Sequence, residues 1–404
     1  MDIQNLFQMQ KILLNRVSLT HKRYLYDKID WNQRLIGILG QRGQGKTTLM
    51  LQHIKEHHAD DSSVLYISLD NPYFQTLSLL DFAQEFSQLG GKKLFIDEVH
   101  KYKEWSVHIK LIYDMLDVKV IFSGSSILKM SKQDGDLSRR SIVYHLENMS
   151  FREYLYITDT VSLPTYTLEE LLNNHEEIAS TITAQIKPIK LFREYMEYGA
   201  YPFVLEDKAF YHQRIIQIIM LILETDLPYI NVIEIAQISK LKKLLYMLAV
   251  SVPFIPNIVD LAQATNISRP KIYEYLKYLE DAKIITSLRT KEKGYKIMSK
   301  PEKLYMNNPS ISYALSASSD KGSLRESFFV NQIKNYYGKR FLDDAIWASE
   351  VGDFLVEERY VFEVGGKNKS FKQIKDIPNS YVVADDIEIG FGNKIPLWLF
   401  GFLY

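Results

Sequence analysis

The sequence predicts an α/β protein in which a parallel sheet is followed by a helical segment and then by a second, smaller α/β module. Short, almost fully apolar runs alternate with amphipathic stretches up to about residue 125, a pattern typical of strands that are covered on both faces. From about residue 165 to 235 the apolar spacing becomes helical, and strand-like runs return after residue 340. At 404 residues the chain has room for two or three domains.

The composition is that of an ordinary globular protein. Lys and Arg equal Asp and Glu at 49 each, which excludes collagen-like and strongly charged disordered classes. The absence of Cys excludes disulfides, thiolate nucleophiles and Cys-based metal sites, and together with a first segment unlike a signal peptide it indicates a cytoplasmic protein. The apolar stretch 244–259 contains two prolines and is shorter than the roughly 20 residues of a membrane span. We expect no contact with a membrane.

The individual elements follow from these patterns. Apolar positions between residues 3 and 17 are spaced as in a helix. Strands are expected at 35–39, 64–69, 94–96 and 118–122, and later at 345–349, 360–364, 381–383 and 397–400. Helices are expected at 171–186, 189–196 and 211–224. The changes of pattern predict domain boundaries that divide the chain into residues 1–160, 161–235, 236–306 and 307–404.

A glycine-rich motif lies between the first expected strand and a helix. It fits G-x-x-x-x-G-K-[ST], and its residues are Gly40, Gln41, Arg42, Gly43, Gln44, Gly45, Lys46 and Thr47, with Thr48 next in the helix. In such a P-loop the backbone N–H groups surround the β-phosphate, the lysine reaches the β- and γ-phosphates, and the hydroxyl holds Mg²⁺. The positive end of the helix dipole also favours an anion. The motif predicts that these nine residues bind ATP, with Thr47 as a ligand of Mg²⁺.

Two carboxylates follow another apolar strand. Asp97 and Glu98 come directly after 94–96, about fifty residues after the P-loop. At this position Asp97 can bind Mg²⁺ through water, and Glu98 can polarise the water that attacks the γ-phosphate. The pair predicts hydrolysis as well as binding, with Lys46 and Glu98 as catalytic residues.

These motifs resemble those of the AAA-type and related P-loop ATPases, and more narrowly of prokaryotic ATPases in which such a module precedes a domain of unknown function. The resemblance rests on residues 40–47, 96–101, 122–126, 137–140, 146 and 149–154, and 198–202 extend it into the helical segment. It implies an AAA-type ATPase domain over residues 1–160. It also implies a polar sensor at a strand end, which by position is Ser125, with Ser123 as the alternative.

The resemblance further implies an arginine finger that faces a γ-phosphate. The family has a Gly-Arg pair at the position of Arg139 and Arg140, so this chain departs from the pattern at Arg139. We favour Arg140 as the finger, with Arg139 or two simple surface arginines as alternatives. A finger that acts across a subunit boundary would require a homo-oligomer.

A second motif, H-x-x-E-H at residues 53–57, would place two imidazoles on one helix face for Zn²⁺. It lies on the helix that the P-loop begins, which must pack against the sheet, and no third ligand is evident. We therefore reject a metalloprotease.

The segment 240–303 is basic, with 13 Lys and Arg against six Asp and Glu in a chain without net charge. Residues 258–264, a turn at 266–267 and a helix over 268–279 predict a helix-turn-helix. A strand from 284, a turn at 291–294 and a return at 295–297 would complete a winged helix. The residues that could contact duplex DNA are Arg269, Lys271, Lys277, Lys291, Lys293 and Lys296. Winged helices also dock proteins, so both uses stay open.

Three acids in the following segment are spaced as in a nuclease core. Glu326 lies on a helix expected over 322–337, and Asp353 and Glu363 lie on two neighbouring strands. They resemble the PD-(D/E)xK nucleases, whose carboxylates hold Mg²⁺ and whose lysine stabilises charge on the phosphate. Gly365 stands where that motif has Lys, and Lys367 is the substitute we considered. The resemblance implies a degenerate nuclease site, and we expect no nuclease activity.

The sequence as a whole predicts an ATP-binding protein and ATPase whose nucleotide state repositions a winged-helix and nuclease-like region, with duplex DNA as a candidate partner. Two alternatives stay open. One is a DNA-binding or scaffold protein in which ATP is structural, and the other is an ATP-regulated nuclease.

Overall fold

The fold was obtained as a computed structural model. It describes residues 3–127, 137, 139–229, 233, 237–250, 257–291, 301–316, 320–338 and 345–404. The chain divides into two compact units, Met1–Glu147 and Asn148–Tyr404. The domain boundaries predicted at residues 160, 235 and 306 stay predictions.

The first unit is built on a five-stranded parallel sheet. Its strands have the spatial order β2-β3-β4-β1-β5, and every pairing between neighbours is parallel. The strands are β1 Leu35–Gly40, β2 Val64–Ser68, β3 Lys93–Asp97, β4 Lys119–Ser125 and β5 Ile142–Leu146. The α/β class and the parallel sheet predicted from the sequence are confirmed.

Helices cover both faces of this sheet. One buried cluster contains Leu39, Ile96 and Phe122, and another contains Ile38, Leu49 and Phe95, so alternate residues of the same strands enter different cores. The helices are α1 Ile3–Arg16, α2 Lys46–His57, α3 Leu79–Gln88 and α4 Trp105–Met115, with 3₁₀ turns at Tyr26–Lys28, Pro72–Gln75 and Val99–Lys101.

Helices form most of the first part of the second unit. Thr167 and Glu170 make a capping box at the start of the helix Leu168–Thr183, in which each side chain binds the other residue's backbone N–H. The helices are α5 Phe151–Ile157, α6 Leu168–Thr183, α7 Pro188–Tyr198, α8 Tyr211–Leu221, α9 Ile238–Val250, α10 Ile258–Thr265, α11 Arg269–Asp281, α12 Pro309–Leu315 and α13 Lys321–Tyr337. A 3₁₀ turn covers Pro202–Leu205, and α8 continues as a π-helix over Ile222–Asp226 and a short turn over Leu227–Tyr229.

A two-helix unit followed by two strands occupies the basic segment. Asn266 ends α10 in the left-handed conformation, and Pro270 lies in the first turn of α11, where its missing N–H costs nothing. Strand β6 Ile285–Leu288 pairs antiparallel with β7 Lys303–Met306. The described partner of β6 is therefore β7, whereas the return strand that we predicted at 295–297 lies outside the described residues.

A second five-stranded sheet has the order β12-β11-β10-β9-β8. Its strands β10, β11 and β12 are parallel to one another. Strand β9 pairs antiparallel with β10 on one side and with β8 on the other. A turn at Glu357 and Glu358, both with positive φ, connects β9 to β10. The strands are β8 Ile346–Ala348, β9 Phe354–Val356, β10 Tyr360–Gly365, β11 Ser380–Ala384 and β12 Lys394–Pro396.

One strand prediction in this unit is wrong. Residues 397–400 were expected to form a strand, but Leu397–Phe402 form a 3₁₀ helix that follows Pro396. All six residues are buried, and an apolar run that is buried on every side has no periodicity to distinguish a strand from a helix. A further 3₁₀ turn covers Phe371–Gln373. No helix in the described part of the chain is long and apolar enough to span a membrane.

The first histidine of the rejected metal motif has a packing role. His53 on α2 is 5% exposed, and its ring stacks on Trp31 with a centroid distance of 3.9 Å and an interplanar angle of 10°. Burial lowers the pKa of the imidazole to about 3, and the positive charge of Lys93 contributes in the same direction. His53 is therefore neutral in the folded protein at neutral pH.

This neutrality predicts a specific loss of stability in acid. The unfolded chain protonates His53 near pH 6.5 whereas the folded protein does not, so stability falls as the pH drops below 6.5. We expect a contribution of about 2 kcal/mol between pH 7 and pH 5. His53→Phe keeps the stacked ring without the titrating group and should show a smaller pH slope in urea unfolding. Equal slopes in both proteins would contradict this assignment.

Candidate functional site

The P-loop connects the end of β1 to the start of α2. Gly43 and Gly45 have φ values of 84° and 89°, a region that residues with a Cβ rarely adopt. Gly40 needs its missing side chain for another reason, because a Cβ there would lie 2.5 Å from the Leu146 carbonyl oxygen of β5. The glycines of the motif thus permit both the turn and the close approach of two strands.

The charged side chain of the motif lies within the loop itself. Lys46 Nζ donates to the carbonyl oxygens of Gly40 at 2.9 Å and Gln41 at 3.1 Å. Lys46, Gln41 and Gln44 are buried, whereas Thr48 in the first turn of α2 is exposed. The ammonium group is therefore held at the loop, where a phosphate bound by the backbone N–H groups would meet it.

Asp97 lies at the centre of the site. Thr47 Oγ1 donates to its Oδ2 at 2.6 Å, Tyr66 donates to the same oxygen at 2.8 Å, and the Ser123 hydroxyl and the Glu98 N–H donate to Oδ1. The carboxylate is only 2% exposed, and hydrogen bonds on both oxygens compensate for its burial. Thr47 and Asp97, which were predicted to serve Mg²⁺, are brought into direct contact.

Tyr66 is a site residue that the sequence analysis missed. Burial and the negative charge of Asp97 raise its pKa, so the phenol remains a hydrogen-bond donor. A tyrosine in the middle of the otherwise aliphatic run of β2 was the available signal. Its hydroxyl holds Asp97 from the strand next to β3.

Glu98 leaves the end of β3 in the left-handed conformation, with φ 54°. Its Oε2 lies 3.8 Å from the Arg42 guanidinium of the P-loop and 3.2 Å from His100 Nε2. The backbone at Glu98 therefore turns the two adjacent carboxylates to different surroundings. Asp97 faces hydroxyl donors, and Glu98 faces groups that can carry positive charge.

The two serines considered as sensors have different neighbours. Ser125 ends β4 and pairs in register with Gly40, the first residue of the P-loop. Ser123 lies two residues earlier and its hydroxyl binds Asp97. Both therefore lie beside the site, Ser125 at the loop and Ser123 at the carboxylate.

Arg140 is not near the P-loop of its own chain. Its guanidinium pairs with Asp114 near the end of α4, with Nε–Oδ1 at 2.8 Å and Nη2–Oδ2 at 3.2 Å. Arg140 precedes β5, which runs parallel to β1, whereas the P-loop follows β1. The arginine and the P-loop thus lie at opposite edges of the sheet, about 20 Å apart along the strands. Arg139 is exposed.

The described residues proposed for DNA contact mostly pair with acids of their own unit. Lys271 contacts Glu274 at 2.9 Å, and Lys277 contacts Asp281 at 3.1 Å. Lys291 pairs with Glu358, and Arg269 is exposed at the start of α11. Lys293 and Lys296 lie outside the described residues. The positive charge of this segment is therefore partly neutralised where the structure describes it.

The acids that the sequence predicted as a degenerate nuclease site lie near one another around a lysine. Lys303 Nζ on β7 is 3.4 Å from both Glu326 and Asp353, and the Tyr305 hydroxyl donates to Glu326 at 2.5 Å. Burial raises the pKa of Glu326. Asp353 also accepts the backbone N–H of Val364 at 2.8 Å.

The lysine paired with Glu363 is Lys369, whereas the role considered for Lys367 stays a prediction. Lys369 Nζ lies 2.5 Å from Glu363 Oε1. Burial alone would lower the pKa of Lys369, but the hydrogen bond to Glu363 and its charge raise it. A Cβ on Gly365 would lie 2.7 Å from the Lys369 side chain, so Lys369 folds back over Gly365 through the turn closed by its N–H bond to Gly366.

These lysines change what the acids can do. Lys303 and Lys369 place ammonium groups against the carboxylates at which a divalent cation would bind. Among the residues that the structure describes, no three His, Asp or Glu side chains are arranged to hold a metal ion. The P-loop differs, because Mg²⁺ bound together with a nucleotide would need few protein ligands and would take the rest from phosphate and water.

Comparisons with known protein families agree with the fold of the first unit. Residues 32–155 match the model of an AAA domain family, and residues 189–322 match a domain of unknown function. The match, the parallel sheet and the P-loop together give the first unit the fold of an AAA-type P-loop ATPase.

Two relatives come from Methanocaldococcus jannaschii. The uncharacterized protein MJ1637 is 27% identical over 66% of this chain and 62% of its own length, and MJ1544 is 25% identical over 74% of this chain and 66% of its own. The chain thus matches slightly less than two thirds of each relative. Among solved structures, AMPPCP-bound DnaA from Aquifex aeolicus matches with 16% identity and a TM-score of 0.28, over 64% of this chain and 84% of that one.

The ion pair of Glu363 gives a test of the second site. Lys369→Ala leaves the buried Glu363 carboxylate without its cation and should lower the free energy of unfolding by about 3 kcal/mol. Lys367→Ala is the matched control and should change the free energy of unfolding by less than about 0.5 kcal/mol.

We expect no cleavage of linear or supercoiled DNA with Mg²⁺ or Mn²⁺. Cleavage that requires Asp353 would contradict this reading of the site.

Proposed function

We propose that the first unit binds ATP with Mg²⁺ and hydrolyses it. The observation that carries this proposal is the hydrogen bond of 2.6 Å between Thr47 Oγ1 and Asp97 Oδ2. It lies beside a P-loop whose carbonyl groups hold the ammonium group of Lys46. Two residues fifty positions apart meet where a P-loop protein holds its metal ion. When bound, Mg²⁺ would neutralise charge on the β- and γ-phosphates.

The protein's own groups have distinct roles in this proposal. Backbone N–H groups of residues 40–48 surround the β-phosphate, and Lys46 stabilises the charge that develops on the transferred phosphoryl group. Thr47 and Asp97 would hold the metal ion, and Tyr66 and Ser123 orient Asp97 through their hydroxyl groups. Ser125 lies close enough to the loop to serve as the sensor.

Glu98 is the proposed water-activating residue. In the described state its carboxylate is engaged by Arg42 and His100, so activation of water requires it to exchange a partner for the attacking water. Arg140 can contribute to this reaction only from a second copy of the chain, because its own P-loop is at the far edge of the sheet. That role therefore belongs to a homo-oligomer.

The nucleotide state is proposed to reposition the second unit. Ordered contacts to a γ-phosphate are lost on hydrolysis, and such contacts commonly drive domain movements in P-loop proteins. The contrasting possibility is a scaffold in which bound ATP is structural, and turnover separates the two. The match of residues 189–322 to a domain of unknown function assigns no activity to this unit.

Two substitutions separate ATP binding from hydrolysis. Lys46→Ala removes a phosphate contact and should abolish detectable ATP binding. Glu98→Gln should retain binding and reduce kcat by about a hundredfold or more, because only water activation is lost. Glu104→Gln, an exposed acid that precedes α4, is the control and should leave both unchanged. Equal loss of binding in the Lys46 and Glu98 variants would contradict the role of Glu98.

A second candidate function is duplex DNA binding through a winged helix. The order α10, turn at Asn266, α11 and the β6–β7 sheet favours it. The acids Glu274 and Asp281 oppose it because they pair with Lys271 and Lys277. If these lysines contact phosphates, their release from the acids should strengthen binding.

The charge pairs thus predict the direction of two opposite changes. Glu274→Gln should increase affinity for duplex DNA, and Lys271→Ala should decrease it and lower the salt slope by about one. Fluorescence anisotropy between about 50 and 200 mM salt measures both. Absence of binding at the lowest salt, or a Glu274→Gln variant that binds no better, would contradict DNA contact by this helix.

A further inference from the structure

Arg23 connects the P-loop to the segment after β5. The side chain is 6% exposed. One guanidinium nitrogen, Nη1, donates to the carbonyl of Gln44 in the P-loop, and the other, Nη2, donates to the carbonyl of Glu147 at 2.7 Å. The P-loop motif does not include this residue, which lies about twenty positions earlier. A buried guanidinium that bonds the phosphate-binding loop therefore needs an explanation of its own.

The bond from Arg23 fixes the orientation of one peptide group. The carbonyl of Gln44 and the N–H of Gly45 belong to the same planar unit, and in a trans peptide they point in opposite directions. A donor that holds the carbonyl on one side therefore turns the N–H to the other side. Gly45 has φ 89°, and a glycine leaves such a peptide free to rotate unless something fixes it.

The other end of the guanidinium is itself held firmly. Tyr24 donates its hydroxyl to the carbonyl of His145 at 3.2 Å and accepts the N–H of Glu147 at 3.2 Å. These bonds fix the chain where it leaves β5, the strand that pairs with β1. The planar guanidinium of Arg23 thus fixes the separation between the end of β5 and the P-loop. A lysine, whose ammonium group is a single point donor, cannot fix this separation in the same way.

We propose that Arg23 is a positioning residue for the nucleotide's polyphosphate, which it serves by holding the Gln44–Gly45 peptide with its N–H directed at the phosphates. This inference rests on the proposed binding of ATP. A positively charged donor on the carbonyl also polarises that peptide and strengthens its N–H as a donor. Arg23 acts through the backbone and makes no contact with the reacting atoms.

The test compares arginine variants in the full chain. Arg23→Ala should weaken binding of both ATP and ADP by about tenfold, because both nucleotides carry the β-phosphate. We expect kcat at saturating ATP to stay within about twofold, since water activation is not affected. Titration calorimetry gives the affinities, and turnover at varied ATP separates KM from kcat.

Arg34→Ala is the matched control. Arg34 Nη2 also bonds two carbonyls, those of Tyr113 at 2.7 Å and Leu116 at 2.8 Å, but it precedes β1 at the opposite edge of the same sheet. Its loss should not alter nucleotide affinity.

Millimolar guanidinium, well below denaturing concentrations, should restore part of the nucleotide affinity of Arg23→Ala. Ammonium should not, because only guanidinium is planar and can donate to two carbonyls at once.

Several outcomes would overturn the inference. These are an Arg23→Ala protein with unchanged affinity, an equal loss in Arg34→Ala, or equal rescue by guanidinium and ammonium. If Arg23→Ala does not fold, Arg23→Lys replaces it, and unchanged affinity in that variant overturns the inference as well. A wild-type protein that binds nucleotide no better than Lys46→Ala would instead refute the proposed function, and this inference with it.

Discussion

A carboxylate buried inside a protein must have hydrogen-bond donors around it, and the first unit is organised around this requirement at Asp97. The donors come from the start of α2, from β2, from β4 and from Glu98, the residue that follows β3. Each element can supply its donor only if the parallel sheet has the order and register that the structure shows. The stability of the sheet and the geometry of the groups proposed to hold Mg²⁺ therefore depend on the same set of contacts.

The sequence was sufficient for much of this arrangement. Strands such as β1 and β3 were predictable because fully apolar runs bounded by turns have few alternatives, and the P-loop because its glycines have a specific backbone function. Tyr66 differs from its aliphatic neighbours in β2, but its role was not predictable, because the pattern does not distinguish a tyrosine that binds a carboxylate from one that only packs. Its role depends on the register that brings β2 beside β3.

The lysines that pair with Glu326, Asp353 and Glu363 were also not predictable, because these pairs depend on how the chain folds and not on a fixed spacing. Lys369 reaches Glu363 only because the chain turns at Gly366, and Lys303 reaches Glu326 and Asp353 from a different strand. A motif with fixed spacing assigns the lysine to position 365 or nearby, whereas the ion pair requires only that the ammonium group arrive at the carboxylate. The strand prediction for residues 397–400 was wrong for a different reason. All residues of Leu397–Phe402 are buried, so the segment has no periodicity on which such a prediction could rely.

Two cations bond carbonyls of the P-loop, and their chemistry suggests different responses to a nucleotide. Lys46 is a flexible point donor on Gly40 and Gln41, and an anionic phosphate oxygen is a stronger acceptor than either carbonyl. We expect a nucleotide to draw Lys46 from these carbonyls. Arg23 donates from its planar guanidinium to the carbonyls of Gln44 and Glu147, so moving it would break two hydrogen bonds at once. The loop therefore combines a donor that can change its partner with one that holds the backbone in place, and the proposed binding and release of a nucleotide would need both.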